Sequence, residues 1–486
     1  MGHIIGLDLG TSAVKAILID EKQHVIASAS SSLSVSRPNA GWSEQNPVDW
    51  ISAATNAIDQ IKQSDPAALS VISGIGLSGQ MHGATLLGDF DRVLRPAVLW
   101  NDTRSYQQAA TLDADPHFRQ ITGNIVFPGF TAPKIAWVRA HEPEVYRSLR
   151  SVLLPKDYLR LWLTGEKITD MSDASGTSWL DVGKRQWSEL LLDRTGLTID
   201  AMPTLAEGTD QAGQLRTELA QRWGINNTVI VAGGAGDNAA SACGLGVIGE
   251  GSAFVSLGTS GVLFASSDQY RPAPESAVHS FCHAFANGWH QMGVILSATD
   301  SLNWYADLVG LDPATLTQEL GDTAITPDGV TFLPYLSGER TPHNESRPMG
   351  AFIGLSHRHD RISMTRAVLL GVAFALRDNL EALKSTGANI ESVVAIGGGS
   401  LSNAWLQTVA SALQLPVHCP ADGAEGAALG AARLGLVATH GLSIEQVCKP
   451  PEIARTFEPF LPGQDAFADG YSEYRRLYPA LAELSQ

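Results

Sequence analysis

Cysteine is scarce in this chain, which has four in 486 residues and no Cys-x-x-Cys pair among them. The four lie far apart in the sequence, at Cys243, Cys282, Cys419 and Cys448. Such spacing argues against a disulfide framework and favours reduced thiols in a cytosol. The start of the sequence also lacks the pattern of a secretory signal peptide. We therefore expect a cytoplasmic protein.

Long apolar runs and positive charge are lacking as well. No run reaches the ~18 apolar residues that a membrane-spanning helix requires, so we expect no membrane partner. The formal net charge is −17 at pH 7. Nucleic acids and anionic membranes both select basic surfaces, so we expect no nucleic-acid partner. A nucleotide would have to be attracted locally, by a metal ion and backbone dipoles.

Two familiar nucleotide-binding motifs are absent or weak. The sequence has no Gly-x-x-x-x-Gly-Lys-Ser/Thr stretch, which excludes an ordinary P-loop. Glycine patterns at residues 74–79 and 234–239 resemble the dinucleotide-binding fingerprint. The first is followed by a poor helix start, and the second carries Asp237 where a pyrophosphate would lie. Neither pattern favours a nicotinamide or flavin enzyme.

The most informative feature that is present is an internal repeat. The tetrapeptide Leu-Gly-Thr-Ser occurs at residues 9–12 and again at 257–260, each time after an apolar, strand-like run. Repetition at about half the length of the chain predicts a duplicated domain, with lobes at residues 1–243 and 244–486. Both turns offer backbone N–H groups and hydroxyls to a phosphate. The candidate phosphate-binding residues are Gly10, Thr11, Ser12, Gly258 and Thr259.

Hydrophobic periodicity predicts that both lobes are mixed α/β, with strands first and helices later. The first lobe should begin with an antiparallel meander over residues 4–29. A helix at residues 470–484 is expected to end the chain and to pack back on the first lobe. Further helices are predicted at residues 47–61, 133–145, 157–163, 363–383, 403–413 and 429–437, and further strands at 71–77, 228–231, 251–264 and 393–396.

Asp8 is the point at which the two copies of the repeat differ in chemistry. It lies inside an otherwise apolar strand and aligns with Ser256 of the second copy. A buried carboxylate without a partner costs several kcal/mol, so Asp8 needs one. Two partners are considered: an ion pair with Lys15, or Mg²⁺, which often holds only one or two carboxylates.

Asp237 ends a predicted strand within a run of glycines, where the edge of a sheet meets a crevice. It can reach a ligand there, or it can cap the helix predicted over residues 238–245. Three more glycines, at residues 397–399, follow a strand and would let a flat adenosine approach the backbone. His279 and His283 have the spacing of a metal pair on a helix, but no third ligand is evident, so packing is favoured.

In this order, the motifs resemble those of the FGGY carbohydrate kinases, of the superfamily of sugar kinases, actin and heat-shock chaperones. Within that family the chain is most similar to the bacterial xylulokinase group, and the resemblance covers nearly the whole sequence. The family's second signature departs from its usual pattern at Ser363 and Leu370. The markers are Gly-Leu-Asp-Leu-Gly-Thr-Ser (6–12), Gly-Leu-Ser-Gly-Gln-Met-His-Gly (76–83), Leu-Trp-Asn-Asp-Thr-Arg (99–104), Gly-Phe-Thr-Ala-Pro-Lys with a tryptophan (129–137), Gly-Asp-Asn (236–238) and Tyr-Leu-Ser-Gly-Glu-Arg-Thr-Pro-His (335–343).

The resemblance implies two ribonuclease-H-like lobes, of the actin and hexokinase type of ATPase, around a central cleft. It implies ATP-dependent phosphorylation of D-xylulose to D-xylulose 5-phosphate with Mg²⁺, and it suggests a homodimer. Asp8 would be the metal-linked carboxylate and Asp237 the base that takes the proton from the sugar hydroxyl. The resemblance places Gln80, Met81, His82, Trp100, Asp237 and Asn238 at the sugar, Gly258 and Thr259 at phosphate, and Gly398, Gly399 and Asn403 around the nucleotide.

Several alternatives remain open at this stage. Met81 and Trp100 would also suit a hydrophobic core, and His82 would suit a hydrogen-bonded interior position. Kinases for D-ribulose, L-xylulose or glycerol are the neighbouring substrate classes. A nucleotide-switched sugar sensor without turnover is an alternative of another kind.

Overall fold

Each lobe is built on a mixed sheet in which an antiparallel meander is extended by parallel strands. The computed structural model describes residues 2–322, 325–421 and 426–484. Across the first sheet the strands are Gln211–Gln214, Ile230–Ala232, Ile72–Gly79, His3–Leu9, Ala13–Ile19 and Val25–Ser32, and Ala235–Gly236 also pairs with Ile72–Gly79. Across the second sheet they are His279–Cys282, Trp289–Ile295, Gly261–Ser267, Ala253–Leu257, Val393–Ile396, Val417–Pro420 and Ile453–Phe457.

The two sheets repeat one topology, because each Leu-Gly-Thr-Ser turn joins the first two strands of a meander. In each lobe the first of these strands pairs on its other side with a parallel strand, Ile72–Gly79 in one and Val393–Ile396 in the other. This confirms the α/β class and the pair of ribonuclease-H-like lobes that the repeat and the resemblance implied. A cavity between the lobes, lined by residues of both, is the expected central cleft.

Helices cover the sheets and shorter strands fill the connections. The helices of the first half are Pro47–Ser64, Pro66–Ser70, Tyr106–Asp113, Pro116–Thr122, Thr131–His141, Pro143–Ser148, Pro155–Thr164, Met171–Ala174, Glu189–Thr195, Thr217–Trp223 and Asp237–Gly244. Those of the second half are Thr299–Val309, Pro313–Gln318, Arg361–Ser385, Asn403–Leu413, Gly426–His440, Ile444–Val447 and Gln464–Leu484. Short strands span Glu44–Gln45, Thr85–Leu87, Ala97–Val98, Ser151–Leu153, Ile168–Asp170, Leu180–Asp181, Gln186–Trp187, Thr204–Ala206, Thr331–Leu333 and Ala351–Ile353.

The Pro47–Ser64 helix shows how the sequence determines an element. The side chain of Asn46 accepts a hydrogen bond from the Val48 N–H and caps the helix, and a proline occupies its first turn, where no N–H is needed. Its buried face follows helical spacing and includes Trp50 and Ile58. The predicted helix at residues 47–61 is therefore confirmed.

Two helices at the centre of the molecule join the lobes. Gly426–His440, from the second half of the chain, packs against the sheet of the first lobe and against Asp237–Gly244. Glycines permit this close approach: a Cβ on Gly76 would lie 1.7 Å from the carbonyl oxygen of Ala431, and one on Gly430 would lie 1.7 Å from that of Ala240. The glycine pattern at residues 74–79 therefore serves helix packing. The lobe boundary expected between residues 243 and 244 stays a prediction.

The last helix, Gln464–Leu484, corrects one expectation. It packs on the second lobe, against Thr331–Leu333, Asn403–Leu413 and Arg361–Ser385, rather than back on the first. The reason is its aromatic face, since Tyr474 belongs to the buried core of the second lobe. Among residues 2–322, 325–421 and 426–484, no helix is both long enough and apolar enough to cross a bilayer.

Candidate active site

Asp8 and Asp237 lie on either side of one central strand of the first sheet. Asp8 pairs in register with Ser78, and Gly236, which directly precedes Asp237, pairs with Gly79. Neighbouring strands lie about 4.8 Å apart, so the backbones that carry the two carboxylates are roughly 10 Å apart. The two carboxylates are near enough for the charge of Asp8 to raise the pKa of Asp237.

Asp237 is the first residue of the Asp237–Gly244 helix, and Gly236 holds the N-cap position instead. One oxygen of Asp237, Oδ1, accepts hydrogen bonds from the backbone N–H of Asn238 at 2.7 Å and from its side-chain amide at 2.9 Å. Burial, and then the charge of Asp8, raise the pKa of Asp237 to about 7. Asn238 therefore lies beside the predicted base and fixes its orientation.

Asp8 has an incompletely satisfied carboxylate. Its Oδ1 is buried and has no hydrogen-bond partner in the part of the chain that the structure describes. Burial raises the pKa of Asp8, although the nearby hydroxyl of Ser78 and the charge of Lys15, opposite in register, act in the other direction. A carboxylate oxygen left free beside a second carboxylate suits a cation.

The first Gly-Thr-Ser turn is held by a polar network that includes two of the residues expected to contact the sugar, Gln80 and Trp100. Thr11 Oγ1 donates to Gln80 Oε1 at 3.1 Å and accepts from the indole N–H of Trp100 at 3.0 Å. The amide of Gln80 donates to Gln45 at 3.0 Å, and the amide of Gln45 donates to the backbone oxygen of Thr11 at 2.7 Å. Gln80 is 2 % exposed. The structure therefore places its side chain against the first Gly-Thr-Ser turn, where it positions Thr11.

The turn that carries Asp237 is held by a second, fully buried network. The backbone N–H of Gly236 donates to Ser172 Oγ at 3.1 Å, and the hydroxyl of Ser172 donates to Asp170 at 2.5 Å. Lys156 Nζ lies 2.7 Å from Asp170 Oδ1 and also contacts Asp157 at 2.6 Å and Asp173 at 3.2 Å. Burial alone would lower the pKa of Lys156, but these carboxylates raise it above its ordinary value.

A cavity of about 370 Å³ lies between the lobes beside these networks. His82 is central to it: its ring stacks on Phe130 with centroids 4.5 Å apart, and Nδ1 lies 2.8 Å from the carbonyl oxygen of Gly176. Burial, and then the charge of Lys134, lower the pKa of His82 to about 3, so the ring is neutral. The lining comprises His82, Trp100, Asn101, Asp102, Thr103, Phe127, Pro128, Gly129, Phe130, Leu296, Ser337, Glu339, Arg340, Asn344, Glu345 and Ser346.

The hydrogen bond of His82 determines which ring nitrogen is free. A carbonyl oxygen only accepts, so Nδ1 must carry the proton and Nε2 is left as an acceptor. Lys134 donates to the carbonyl oxygen of His82 at 2.8 Å and fixes this residue, whose φ is +67°. Met81 packs over Gly236, because a Cβ there would lie 2.8 Å from its side chain. Met81 thus connects the cavity to Asp237.

A second, larger cavity of about 610 Å³ lies in the second lobe. Gly398, Gly399 and Asn403, the residues expected around the nucleotide, line it, and the Asn403 amide donates to Asp322 at 3.2 Å. The glycines differ in role: a Cβ on Gly398 would meet open space, whereas one on Gly399 would lie 2.8 Å from Leu257. The remaining lining residues are Thr299, Leu302, Asn303, Pro313, Ala314, Thr317, Gln318, Gly321, Asp322, Leu401, Ser402 and Trp405.

The second Gly-Thr-Ser turn borders this cavity. The backbone N–H and the hydroxyl of Thr299 both donate to the carbonyl oxygen of Gly258, each at 2.9 Å, and the N–H of Ala298 donates to Thr259 O at 2.8 Å. The side chain of Thr299 also lines the cavity. Thr259 itself is exposed, as is Ser12 in the first turn. Both turns therefore leave a hydroxyl available to a ligand.

The histidine pair at 279 and 283 is not helical. His279 begins the strand His279–Cys282, and both rings are buried. His283 Nδ1 accepts from the Ala284 N–H at 2.8 Å, and its Nε2 lies 3.2 Å from the carbonyl oxygen of Val247. Within the described ranges, no three His, Cys, Asp or Glu side chains are grouped to hold a metal. Packing, the favoured role, agrees with these contacts.

Magnesium does not need such a group. It is commonly bound through one or two carboxylates together with the phosphates of a substrate and water. The free Oδ1 of Asp8, with Asp237 across one strand, fits that requirement. Asp8 is therefore the residue suited to hold the metal.

The sequence reasoning missed several residues of the two cavities. Glu339 and Arg340 line the smaller cavity from the second lobe. The sequence had indicated them only as members of a family motif, without a role at the site. The larger cavity is lined by helix residues such as Asn303 and Gln318. Helical residues of this kind carry no local motif, because only the packing of two separate helices brings them together.

Comparison with known proteins relates the chain to a family. The N-terminal domain of the FGGY family of carbohydrate kinases matches residues 3–244, and the C-terminal domain of that family matches residues 253–439. The xylulose kinase of Escherichia coli (strain K12) is 46% identical over 485 residues, covering 99% of each chain. A crystal structure of a xyloylose kinase from Brucella ovis has a TM-score of 0.98 and 59% identity, covering 99% of this chain and 100% of that one. The xylulose kinase structure from Rhodospirillum rubrum has a TM-score of 0.92 at 27% identity and covers 99% of both chains. The chain thus belongs to the FGGY family of carbohydrate kinases.

Proposed function

We propose that this protein transfers the γ-phosphoryl group of ATP to D-xylulose and releases D-xylulose 5-phosphate. The observation that carries the proposal is the pair of carboxylates on either side of one strand, in a molecule that has a cavity of sugar size between the lobes and a larger cavity in the second lobe. The names of the relatives support the same substrate, since the E. coli protein and both structures quoted above are named as kinases of xylulose or xyloylose.

Asp237 is the base in this proposal. Its carboxylate takes the proton from the primary hydroxyl of the sugar as the oxygen attacks the phosphoryl group. A base works best when its pKa lies near the working pH, and burial together with Asp8 raises the pKa of Asp237 to about 7. Asn238 leaves Oδ2 free for the proton, because both of its N–H bonds go to Oδ1.

Asp8 and the two turns hold the polyphosphate. Magnesium, when bound through Asp8, supplies positive charge that neutralises the phosphates. Ser12 and Thr259 present exposed hydroxyls, and the two turns present backbone N–H groups, from opposite lobes. Phosphoryl transfer depends mostly on positioning and charge neutralisation, which is why these residues are turns and carboxylates rather than strong nucleophiles. The adenosine occupies the 610 Å³ cavity beside Gly398, Gly399 and Asn403.

The sugar occupies the smaller cavity, which His82 and Trp100 line; Met81 and Asn238 are not among its lining residues and adjoin Gly236 and Asp237. The free Nε2 of His82 accepts a hydrogen bond from a sugar hydroxyl, because Nδ1 is committed to Gly176. Gln80 acts through Thr11 rather than by touching the sugar. We also propose that the protein acts in the cytosol and forms a homodimer. Light scattering, which reports the mass of the particle in solution, tests the dimer.

The experiment measures ADP release from ATP and Mg²⁺ with D-xylulose, D-ribulose, L-xylulose or glycerol. We expect the highest kcat/KM with D-xylulose, and Asp237→Asn should retain sugar binding while kcat falls by roughly 10²–10⁴-fold. A higher kcat/KM with another of these compounds would show that this compound, and not D-xylulose, is the preferred substrate. ADP release from none of them, with sugar-dependent nucleotide binding, would favour the nucleotide-switched sensor instead.

A further inference from the structure

Glu339 is a buried carboxylate that the mechanism above does not use. The residue is 1 % exposed. Its Oε1 accepts hydrogen bonds from the backbone N–H groups of Leu296, at 3.0 Å, and Arg340, at 2.8 Å. Its other oxygen, Oε2, is buried and has no hydrogen-bond partner among the described residues. An unpaired polar atom in such a place is costly and calls for a partner outside the protein.

Glu339 lines the sugar-sized cavity from the side of the second lobe. The neighbouring guanidinium of Arg340 does not satisfy it, since that group lies over the ring of Phe127, 4.4 Å from the centroid. Burial raises the pKa of Glu339 to about 8, as is expected for a carboxyl whose charge is not neutralised. The carboxyl group thus lines a cavity whose volume suits a small polyol or ketose.

The backbone around Glu339 is fixed rather than free to move away. The N–H of Thr341 donates to Val294 O at 3.1 Å, and the N–H of Val294 donates back to Thr341 Oγ1 at 3.1 Å. Glu339 and Glu345 also exchange backbone hydrogen bonds, at 2.8 and 2.7 Å. Glu339 is therefore anchored to the strand Trp289–Ile295 of the second sheet, and its position follows the second lobe.

We propose that Glu339 is a sugar-binding residue supplied by the second lobe, and that its Oε2 hydrogen-bonds one hydroxyl of the bound ketopentose. This inference rests on the proposed function and adds to it a specificity-determining contact. His82 and Trp100 hold the sugar from the first lobe. A sugar that also bonds Glu339 bridges the two lobes, so its binding favours the closed arrangement in which transfer occurs.

The test compares Glu339→Gln with wild type. Glutamine has nearly the same shape and keeps an oxygen for the N–H groups of Leu296 and Arg340, but it replaces the carboxyl group that meets the sugar. We expect KM for D-xylulose to rise roughly 10- to 100-fold, with KM for ATP unchanged, because an NH2 group replaces the buried acceptor oxygen Oε2 and the sugar hydroxyl loses its partner. The matched control is Glu381→Gln, in the same lobe, whose carboxylate pairs with Arg377 at 2.6 Å and lies outside both cavities.

Deoxy sugars locate the contact. Pentuloses that each lack one hydroxyl are compared on both proteins. One of them should bind wild type much more weakly than D-xylulose does, yet lose little further affinity in Glu339→Gln, since both changes remove the same hydrogen bond. The inference would be overturned if each analogue lost the same affinity, relative to D-xylulose, in wild type as in Glu339→Gln.

The remaining outcomes are also decisive. Wild type that turns over D-xylulose while Glu339→Gln keeps a normal sugar KM refutes the role of Glu339 but not the proposed function. Wild type without turnover on any sugar refutes the proposed function. Thermal unfolding and the binding of a nonhydrolysable ATP analogue report whether the variant is folded. Should Glu339→Gln fail to fold, Glu339→Asp is assayed in the same way, and an unchanged sugar KM there overturns the inference.

Discussion

Replacing Asp237 with asparagine should stabilise the unliganded protein, and increasingly so as the pH rises. The carboxyl group has an ordinary pKa of 3.8, whereas burial and the charge of Asp8 raise it to about 7 in the folded protein. The folded state therefore holds a proton that the unfolded state has already released. The stabilising contribution of this site is fully present below pH 3.8 and is lost as the pH rises through about 7.

The size of the effect follows from the shift. A difference of one pKa unit corresponds to about 1.4 kcal/mol, so the whole shift amounts to about 4 kcal/mol at most. Between pH 5 and pH 8 the free energy of unfolding of wild type should fall by roughly 2.5 kcal/mol relative to Asp237→Asn. Asparagine does not titrate, and its side-chain oxygen can still accept the N–H bonds from Asn238.

The assay is thermal unfolding of both proteins from pH 5 to pH 8, without nucleotide, sugar or Mg²⁺, because each of these binds the folded state and shifts its stability. The gap in Tm should widen by several degrees towards pH 8. Glu345→Gln is the control, since Arg347 lowers the pKa of Glu345 to about 2 and its contribution is nearly constant over this range. A gap that stays flat for Asp237→Asn would refute the raised pKa of Asp237.

Three other changes test the structure around the site. Lys156→Met should lower the free energy of unfolding by roughly 3–5 kcal/mol, because it leaves buried carboxylates without their cation, and a loss below about 1 kcal/mol by chemical denaturation would contradict this. Gly76→Ala should lower Tm, because its Cβ would lie 1.7 Å from a carbonyl oxygen of the crossing helix. Gly249→Ala is the control: its Cβ meets no atom within 4 Å, so Tm should stay nearly unchanged. Trp100→Phe removes the hydrogen bond to Thr11 and should raise KM for D-xylulose several-fold, which corresponds to a loss of about 1 kcal/mol in binding free energy. An unchanged KM would mean that this bond does not shape the site.

The sequence was most informative where local pattern decides structure. The strand Val393–Ile396 and the helix Asn403–Leu413 were predicted with the ends that the structure gives them, because glycines and a serine cap bound them. The repeated Gly-Thr-Ser turns predicted two lobes for the same reason. The spacing of His279 and His283 would suit a helix, but His279 begins the strand His279–Cys282 and His283 directly follows that strand, so spacing alone does not indicate the element.

Long-range contacts account for what the sequence could not give. Nothing in the local pattern of residues 74–79 says that its glycines accommodate a helix from residues 426–440, and the last helix was assigned to the wrong lobe because its aromatic partners are distant in the chain. The role of Gln80 was likewise hidden. Its position next to Met81 and His82 suggested a sugar contact, whereas its hydrogen bonds go to residues 10, 11 and 45.

Duplication followed by divergence explains why the cleft is asymmetric. Both lobes place a Gly-Thr turn at the same end of equivalent strands, so both can hold phosphate. Only the first keeps a carboxylate, Asp8, in the strand before the turn, where the second has Ser256. Two like-charged strands facing one polyphosphate would repel it, whereas one carboxylate can hold a cation while the other turn stays neutral. The same asymmetry adds to the raised pKa of Asp237, because burial raises this pKa most and the charge of Asp8 raises it further.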